Sequence, residues 1–599
     1  MCRRNFYDFF ANVLKRVPAI ERLIVAAIYY ILRKEFVIEA GPLKSLLHTS
    51  ATQGQEWLFI FKTRPHMTIL MPVYNTKIEV LRESIESVLC QAYNKWEFCI
   101  VDDASTMPHI RPILEIYARK DPRIKLKFSD SNQGIAATIN KAARMASGDY
   151  LGVLDHDDEL DPLALFEYVK TINEHPDADC IYCDEDKINE QGQHCDPWFK
   201  SDWNPDLSLS FNYIMHFAMY RRGLFERLGG FRKAYEGSQD YDLLLRVSEK
   251  TDRIYHIPRI LYHWRMGQAS IASGPEAKPH IFVKGLAALN DSLKRRGIDA
   301  TAEEATDAWK GVYRVKRKIT KPLSCSILVV FYGDKGSLLR VLDSIFSNVP
   351  QSNCEVLVCV HSSSDFDQDE FLKQYKGAIK WVKFSGPNRV LRALNIGVHQ
   401  ASGDILFFLD ETMELISLES YRCLLEHIQR EEVGAVGGKV YYGNGLVEHA
   451  GVILGPFNLL GYAHRATPDT PGYVGLKNMI CNYSAVMGLG MMTRKKLFMD
   501  IGGFDDEFER AYWDVDYCLK LREQGYLMIY TPYAKFRHHI PVKAINEMIV
   551  EPEATLFRSR WQHIIDRDPY FNPNFSREVE SFSWERPVFD IEIVKSSMG

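Results

Sequence analysis

Short apolar runs alternate with amphipathic stretches along most of this chain. Between residues 66 and 155 the apolar runs "MTILMPV", "WEFCIVD", "RIKLKFS" and "DYLGVLD" predict four strands. The stretches between them, such as "KIEVLRESIESVLCQA" and "GIAATINKAARMAS", have the spacing of amphipathic helices. Alternation of this kind is typical of a mostly parallel central sheet flanked by helices, so the pattern predicts an α/β fold.

The same pattern returns in the second half of the chain. "MTILMPVYNTKIEVLRESIESVLCQ" from Met67 aligns with "CSILVVFYGDKGSLLRVLDSIFSN" from Cys325, and "AARMASGDYLGVLDHDDEL" aligns with "GVHQASGDILFFLDETMEL". The aligned blocks keep their order and similar spacings, which indicates two copies of one domain. The predicted divisions are an N-terminal segment at 1–65, a first domain at 66–270, a linker with a helix at 271–322, a second domain at 323–540 and a C-terminal extension at 541–599.

The segment 1–65 is predicted to be helical, amphipathic and basic. An unbroken apolar run from Leu23 to Leu32 lies between basic residues, but it is too short to span a bilayer, which needs about 20 residues. Basic and aromatic residues interleave over 1–38, as in helices that lie on an anionic membrane surface. Peripheral membrane contact through 1–38 and a helix packed on the first domain are equal alternatives.

Composition narrows the class of protein without identifying it. Hydrophobic residues make up 46% and charged residues 25% of the 599 residues, which is ordinary for globular proteins, and the length predicts two or more domains. A net charge of −5 favours no nucleic-acid partner, although a bound metal ion would still allow phosphate ligands. Twelve cysteines without a regular framework, and no expected signal peptide, predict reduced thiols and a cytoplasmic location.

Polar side chains gather where the predicted strands of the first domain end. They are Tyr74 and Asn75, Asp102 and Asp103, and the acidic run Asp155 to Asp158. Ligands bind at the carboxyl ends of parallel strands, and converging carboxylates there need a compensating charge. Mg²⁺ or Mn²⁺ with a polyphosphate is the simplest candidate, because these ions bind one or two carboxylates together with phosphate oxygens. The spacing of Asp155 and Asp157 suits one such ion.

Four motifs in the first domain resemble, in order, the nucleotide-binding half of inverting family-2 glycosyltransferases. They are "MPVYN" at 71–75, "VDDAS" at 101–105, "NQG" at 132–134 and "LDHDD" at 154–158. The resemblance continues through "CDEDK", "DWNPDL" and "QDYDLLLR". It includes "WDVDYCLKLR" in the second copy, and "RWQHIIDRDPYFNPNFS" is similar to the tail of bacterial tandem enzymes of that family. No single motif is specific, but the ordered set is.

The resemblance implies two tandem GT-A-like domains and an inverting, nucleotide-sugar-dependent transferase of the hexosyl or rhamnosyl class. The implied donor is a nucleoside-diphosphate sugar, UDP- or dTDP-linked, with Mn²⁺ or Mg²⁺ as cofactor. The implied acceptor is a growing glycan or a lipid-linked glycan. The implied setting is the biosynthesis of a cell-surface polysaccharide, such as O-antigen or capsule, at the inner face of the cytoplasmic membrane.

The resemblance also assigns a nucleotide and metal site to the first domain. The implied nucleotide-binding residues are Pro72, Tyr74, Asp102, Asp103 and Asp155. Among them, Tyr74 would lie against the base, Asp102 or Asp103 would hydrogen-bond it, and Asp155 would lie near the ribose and diphosphate. Asp157 is the implied metal ligand, together with Asp155.

Catalytic and acceptor residues are implied further along the same domain. Asp240 in "SQDYD" matches the general base, the alternative being an N-cap of the following helix, while Asp242 is expected to be structural. Asp184 and Asp186 in "CDEDK" are candidates for acceptor contact. Trp203 is a third, because aromatic rings pack against sugars, although a place in the core suits it equally well.

The second copy departs from the motifs where chemistry is expected. "VHSSS" replaces "VDDAS", and the turn "LDET" keeps Asp410 but has Thr412 in place of a second carboxylate. Asp514 in "WDVDY" preserves the base-like position, so Asp410 and Asp514 are candidates for residual activity. Glu411 or Glu414 as a replacement ligand stays open. We predict that the metal and nucleotide site of this domain is degenerate.

Two other functions stay open at this point. A bifunctional transferase would use both domains, and a non-catalytic scaffold would bind nucleotide sugar or glycan without turnover. The first domain's complete set of aspartates argues against the scaffold, because pure binding needs no general base.

Overall fold

The computed structural model describes residues 61–266, 280–363, 375, 378–386, 389–542 and 549–584. The chain divides into two compact units, one formed by 1–65 and 166–176 and the other by the rest of the chain. Both large sheets lie in the second unit. Apart from 61–65, the predicted N-terminal helical segment, with its membrane contact through 1–38, lies outside the described residues.

The first domain alternates strands and helices as the apolar pattern predicts. Its strands are β1 (Met67–Val73), β2 (Trp96–Asp102), β3 (Ile124–Phe128), β4 (Tyr150–Val153), β5 (Glu159–Leu160), β6 (Cys180–Ile188), β7 (His194–Trp198), β8 (Met219–Arg221) and β9 (Ile254–Arg265). Its helices are α1 (Ile78–Leu89), α2 (Ile110–Lys120), α3 (Ile135–Ala143), α4 (Ala164–Glu174), α5 (Pro205–Ser210), α6 (Arg222–Arg227) and α7 (Gln239–Ser248).

These strands form one mixed sheet in the order β3-β2-β1-β4-β8-β6-β9-β5, with β7 added at β6. β3, β2, β1 and β4 are parallel neighbours, and β8 joins β4 antiparallel. Every residue of β1 and β2 is buried, which explains their continuous apolar runs, because parallel strands are covered on both faces. The carboxyl ends of β1, β2 and β4 meet at one edge of the sheet, which brings the predicted site residues together.

The linker and the second domain come next along the chain. The linker contains α8 (His280–Arg295) and a hairpin of β10 (Ala300–Glu304) and β11 (Tyr313–Arg317). The next strands are β12 (Cys325–Phe331), β13 (Cys354–His361), β14 (Ile379–Phe384), β15 (Ile405–Asp410), β16 (Met413–Leu415), β17 (Val433–Tyr442), β18 (Val447–His449), β19 (Val452–Leu454), β20 (Leu460–Tyr462), β21 (Cys481–Tyr483), β22 (Met492–Arg494) and β23 (Leu527–His538). The helices are α9 (Lys335–Asn348), α10 (Arg389–Gln400), α11 (Leu418–Ile428), α12 (Lys495–Asp500), α13 (Trp513–Glu523) and, in the C-terminal extension, α14 (Glu553–Asp566).

The main path of strands in the second large sheet repeats that of the first, and β18 and β21 are added to it at β17 and β23. Its order is β14-β13-β12-β15-β22-β17-β23-β16, so each strand of the first sheet has a counterpart at the same place in the path. The predicted fold class, two tandem GT-A-like α/β domains, is confirmed. Within the described part of the chain, no helix combines the length and apolar character needed to cross a membrane.

Buried polar contacts join the two domains. Asp206 on α5 pairs with Arg430 of the second domain at 2.6 Å, and the Asn482 side-chain amide donates to Asp206 at 2.9 Å. Asn204 donates to the backbone carbonyl of Asn482 at 2.9 Å. Burial opposes the charge on Asp206, but Arg430 outweighs it and holds the pKa of that carboxyl at about 2. The ion pair is therefore fully formed at neutral pH.

Candidate functional site

The carboxyl end of β4 carries a compact group of three side chains, Asp155, Asp158 and His216. One oxygen or nitrogen atom from each lies within 4.8 Å of the others. Asp155 is half-buried, and Asp158 is only 1% exposed. Asp158 accepts hydrogen bonds from the Tyr262 hydroxyl at 2.5 Å and from the backbone N–H of Arg265 at 2.8 Å. Strand β9 thus holds a carboxylate that lies just beyond the end of β4.

His216 reaches this group from the loop before β8. Its ring stacks on Tyr262 with ring centroids 4.9 Å apart, and its Nδ1 lies 3.4 Å from a carboxylate oxygen of Glu185. Burial alone would lower the pKa of His216, but the negative charges of Glu185, Asp158 and Asp155 outweigh it and raise this pKa to about 9. The imidazolium therefore balances part of the carboxylate charge near neutral pH, and a metal ion would have to displace its proton before the ring could act as a ligand.

The electrostatics of the three-residue group favour a bound cation. Burial raises the pKa of Asp155, and the charge of Asp157 raises it further. Burial also raises the pKa of Asp158 well above its usual range, with Asp157 and Asp155 adding to the effect. Carboxylates whose ionised forms are disfavoured by burial and by one another are stabilised when a divalent cation shares their charge. Carboxylate oxygens with one imidazole nitrogen are donors that fit Mn²⁺.

Asp157 lies beside this group but is not one of its three members. Its side chain is half-buried, and its backbone carbonyl accepts a hydrogen bond from the Arg265 guanidinium at 2.9 Å. Asp157 is near enough to influence the titration of both Asp155 and Asp158. Its role as a metal ligand stays a prediction, and the structure adds Asp158 and His216 as further candidates.

The predicted base-binding residues of β1 lie at the same edge of the sheet. Pro72 is buried, and its carbonyl is 3.1 Å from Nδ1 of His156. The ring of Tyr74 is 44% exposed, so it offers a free aromatic surface. The side-chain oxygen of Asn75 accepts the backbone N–H of Thr106 at 2.8 Å, which ties the loop after β1 to the loop after β2.

Asp102 and Asp103 at the end of β2 are both buried and hydrogen-bonded to loops. The Asp103 carboxylate accepts the backbone N–H groups of Gln133 at 3.0 Å and Gly134 at 2.9 Å, and so fixes the "NQG" turn before α3. Asp102 accepts the backbone N–H of Ser105 at 3.3 Å. A carboxylate oxygen has two lone pairs, so these bonds leave room for a base, and that contact stays a prediction.

Asp240 is the second residue of α7 and points toward the same region. The N-cap of α7 is Ser238, so Asp240 is not the capping residue that the alternative role required. Its carboxylate accepts a hydrogen bond from the Asn212 side-chain amide at 2.8 Å. Burial raises the pKa of Asp240, with His216 opposing, and Asp240 in turn raises the pKa of Asp155. A carboxylate with a raised pKa is a stronger proton acceptor, as a general base requires.

Asp242, near the start of the same helix, has the structural role expected of it. Its side chain is fully buried and pairs with Arg246 at 2.8 Å and also with Arg232. Two guanidinium groups satisfy the carboxylate, and none of it faces solvent.

The predicted acceptor residues have different surroundings. Asp184 is fully buried, and its oxygens accept hydrogen bonds from His256 at 2.8 Å and from the side chain of Asn572 at 2.9 Å. Its burial and these hydrogen bonds favour a structural role, and acceptor contact through Asp184 stays a prediction. Asp186 is 7% exposed and accepts from the Nδ1 atoms of His194 at 2.8 Å and His263 at 2.6 Å.

Trp203, the third predicted acceptor residue, is half-buried and stacks against Tyr213 with ring centroids 6.3 Å apart. It packs on the core of the first domain, which was the alternative to acceptor contact. The acceptor roles of Trp203 and Asp186 stay predictions.

Sequence reasoning missed Asp158, His216 and Tyr262. Asp158 stood inside the motif that was singled out, but the Asp-x-Asp spacing favoured Asp157. His216 and Tyr262 carry no local signal, because they reach the group from loops and strands far along the chain. Comparison of the two copies could have indicated His216. It stands three residues before β8, and an apolar residue, Leu489, stands at the corresponding position three residues before β22.

The corresponding strand end of the second domain holds different side chains. Asp410 ends β15, and its carboxylate accepts both the backbone N–H and the hydroxyl of Thr412, at 2.8 and 2.7 Å. Met413, fully buried, stands where the first domain has Asp158, and Leu489 where it has His216. Leu489 packs against the apolar cluster that contains Met413. Two of the three ligand positions are thus hydrophobic.

The remaining candidates in the second domain also have intramolecular partners. Glu411 accepts the backbone N–H groups of Tyr332 at 2.8 Å and Gly333 at 3.2 Å, and Glu414 pairs with His539 at 2.8 Å. Asp514 is 9% exposed, accepts the backbone N–H of Gly488 at 2.7 Å, and has its pKa raised by burial. These contacts stabilise the loops around the end of β15, and the degeneracy of this site stays a prediction.

Comparison with known proteins adds three findings. The family model described as Glycosyl transferase family 2 matches residues 68–229 and 326–484, together more than half of the chain. The chain is 34% identical over 539 residues to an uncharacterized protein, y4gI, of Sinorhizobium fredii, covering 87% of this chain and 59% of that protein. It is 33% identical over 531 residues to the O-antigen biosynthesis protein RfbC of Myxococcus xanthus, covering 88% and 41%.

The chain spans 59% and 41% of the lengths of these two relatives. Among solved structures, it is similar to the mannosyltransferase PcManGT from Pyrobaculum calidifontis in complex with GDP-Man and Mn²⁺. The identity is 19%, the match covers 40% of this chain and 70% of that one, and the TM-score is 0.31.

Proposed function

The chain belongs to glycosyltransferase family 2, and we propose that its first domain transfers a sugar from a nucleoside-diphosphate donor to a glycan acceptor with inversion at the anomeric carbon. The observation that carries this proposal is the convergence of Asp155, Asp158 and His216 at the carboxyl end of β4, with Asp240 in electrostatic contact with them. Binding alone would not need a carboxylate of raised pKa beside a cation site.

The metal would be held by Asp155 together with Asp157, Asp158 or His216. When bound, such an ion acts as a Lewis acid that stabilises the negative charge of the leaving diphosphate. Because an imidazole is a poor ligand for Mg²⁺, coordination by His216 would favour Mn²⁺.

The nucleotide would lie across the ends of β1 and β2. The exposed ring of Tyr74 suits stacking on the base, and Pro72 shapes the edge beside it. Asp102 and Asp103 are placed to accept hydrogen bonds from the base while holding the neighbouring loops. A uridine or thymidine diphosphate donor is proposed from the family resemblance.

Asp240 would take the proton of the attacking acceptor hydroxyl. Its carboxylate is oriented by a hydrogen bond from the side-chain amide of Asn212. An acceptor hydroxyl is a weak nucleophile, and removing its proton during attack contributes about 10²- to 10⁴-fold to such reactions. Asp186 and Trp203 are proposed to contact the acceptor glycan.

The second domain would not bind a metal–nucleotide complex. Met413 and Leu489 replace two ligand positions, and the carboxylates of Asp410 and Glu411 bond to nearby groups of the chain. The relative named for O-antigen biosynthesis supports a role in making a cell-surface polysaccharide. We place this reaction at the inner face of the cytoplasmic membrane.

The test is a donor panel. Purified protein is incubated with UDP-, dTDP- and GDP-linked sugars, a lipid-linked glycan acceptor and Mn²⁺ or Mg²⁺, and release of nucleoside diphosphate is measured. We expect release with one donor class, its loss on chelation, and a product whose anomeric configuration, read by NMR, is opposite to that of the donor. Retained configuration, or no release with any donor, would overturn the proposal.

A further inference from the structure

The C-terminal extension reaches into the interior of the first domain through Asn572. This residue is 2% exposed, and its side-chain amide donates to the Asp184 carboxylate at 2.9 Å and to the backbone carbonyl of Lys200 at 2.8 Å. Asp184 also accepts the backbone N–H of Lys200 at 2.8 Å. The backbone N–H of Lys200 is therefore held by Asp184, and its backbone carbonyl is held by Asn572 of the C-terminal extension.

Lys200 also contacts residues beside the candidate metal site. Its side chain is 1% exposed, and its ammonium group donates to Glu185 at 2.6 Å and to the backbone carbonyl of His216 at 2.6 Å. A buried ammonium is tolerated only where its partners are well placed, so its position and theirs depend on one another.

Glu185 completes the link. It is 2% exposed, and while one oxygen binds Lys200, the other lies 3.4 Å from Nδ1 of His216. His216 is thus held at two points, the backbone carbonyl by Lys200 and the ring by Glu185.

We propose that Asn572 is a positioning residue for the first domain's site, because it fixes Lys200, which with Glu185 holds His216 against Asp155 and Asp158. The C-terminal extension thereby sets the geometry of the site in the other half of the chain. The kinetic part of this inference rests on the proposed function, but its structural part does not.

A second buried amide makes a matched control. Asn482 is fully buried and donates to Asp206 at 2.9 Å, at a different part of the same inter-domain contact. Losing it removes a polar contact that is not among those linking Asn572 to His216. Asn574 does not serve as a control, because its side-chain amide donates to the side-chain oxygen of Asn572 at 2.9 Å and to Asp184 at 3.3 Å.

Hydrogen–deuterium exchange of the full-length protein tests the structural part. In Asn572→Ala we expect amides at 198–201 and 214–217 to exchange about tenfold faster, the factor for losing one buried hydrogen bond. In Asn482→Ala we expect faster exchange around 204–211 only. Unchanged exchange at 214–217 in Asn572→Ala, or the same increase there in Asn482→Ala, would overturn the proposal.

Steady-state kinetics test the catalytic part. We expect Asn572→Ala to lower kcat by about 10- to 100-fold, with the donor KM changed less than about twofold, because a small displacement of one side of the site costs rate rather than nucleotide contacts. Asn482→Ala is expected to stay within about threefold of wild type. Equal losses in the two variants would show a merely structural effect and overturn the assignment.

A double-variant cycle tests the route through Lys200. In a Lys200→Met background, Asn572→Ala should change kcat by less than about twofold, because the link it supports is already broken. If kcat of the double variant is lowered by the product of the two single-variant factors, the route through Lys200 is overturned. If the wild-type protein releases no nucleoside diphosphate, the proposed function fails, and the exchange experiment alone still decides whether Asn572 positions His216.

Discussion

The two domains end their fourth strand with the same Leu-Asp pair, Leu154–Asp155 and Leu409–Asp410, and differ in the side chains that surround it. In the first domain Asp158 and His216 join Asp155 in a polar group, whereas Met413 and Leu489 take those positions in the second. The strand order of the two sheets is nevertheless the same. The side chains at a strand end can therefore differ in polarity while the order of the strands in the sheet is kept.

The difference has a simple physical basis. A buried carboxylate such as Asp158 costs free energy unless it is paired, whereas burying a methionine side chain contributes about 1.5–3 kcal/mol. Met413 is fully buried in an apolar cluster, so it stabilises the turn after β15. Asp158 destabilises the corresponding turn after β4. We infer that the first domain keeps its polar group for chemistry and the second has exchanged it for packing.

The largest expected effect separates the two base-like aspartates. Asp240→Asn should lower kcat by about 10²- to 10⁴-fold, because the amide cannot accept the acceptor proton. Asp514→Asn should change kcat by less than about twofold, since Asp514 bonds to the loop at Gly488. Nucleoside-diphosphate release measures both. Loss of one of two products in Asp514→Asn would show that the second domain is catalytic.

The next largest effect is expected when His216 of the first domain is replaced by leucine, the residue at the corresponding position 489 of the second domain. His216→Leu should lower kcat/KM by about 100-fold and weaken Mn²⁺ binding measured by calorimetry, because one candidate donor atom is removed. Leu489→Met, which keeps the second domain apolar, is the control and should leave both quantities unchanged. Undiminished Mn²⁺ affinity in His216→Leu would exclude the imidazole as a ligand.

A smaller effect is expected in the pH dependence of the reaction. The base must be deprotonated, and burial raises the pKa of Asp240 above the usual value of 3.8. As pH falls through this raised pKa, kcat/KM should fall about tenfold per pH unit, because the protonated carboxyl cannot take the acceptor proton. Asp514→Asn should leave the limb in place although the pKa of Asp514 is also raised. An acid limb that shifts in that variant would assign the base to the second domain.

The smallest effect concerns the nucleotide. Tyr74→Ala should raise the donor KM about tenfold with little change in kcat, because stacking on a base contributes on the order of 1–3 kcal/mol. Its counterpart Tyr332 bonds to Asp410 through its hydroxyl, so Tyr332→Phe should leave KM unchanged. A donor KM that responds to Tyr332→Phe would mean that the second domain holds nucleotide.

Much of the fold was predictable because its signals are local. The runs "MTILMPV" and "WEFCIVD" coincide with β1 and β2, and the predicted linker helix coincides with α8. Strand-end residues such as Asp103 and Asp155 were predictable for the same reason, since the end of an apolar run marks the edge of a parallel sheet.

Contacts between distant parts of the chain were not predictable. Tyr262 bonds to Asp158 across 104 residues, and Asn572 reaches Asp184 across 388. No local sequence pattern indicates such pairings, which explains why the partners of Asp158 and the burial of Asp184 were not predicted.

The buried ion pair of Asp206 and Arg430 limits how far the two domains are separable. A fragment ending before Arg430 would leave the Asp206 carboxylate, together with Asn204, at a newly exposed face without its partners. Such a truncation would alter the segment from Lys200 to Asp206 that borders the first domain's site, even though every predicted catalytic residue would still be present. The smallest active form of this protein is therefore expected to contain both domains, and inactivity of an isolated first domain would say nothing about where catalysis occurs.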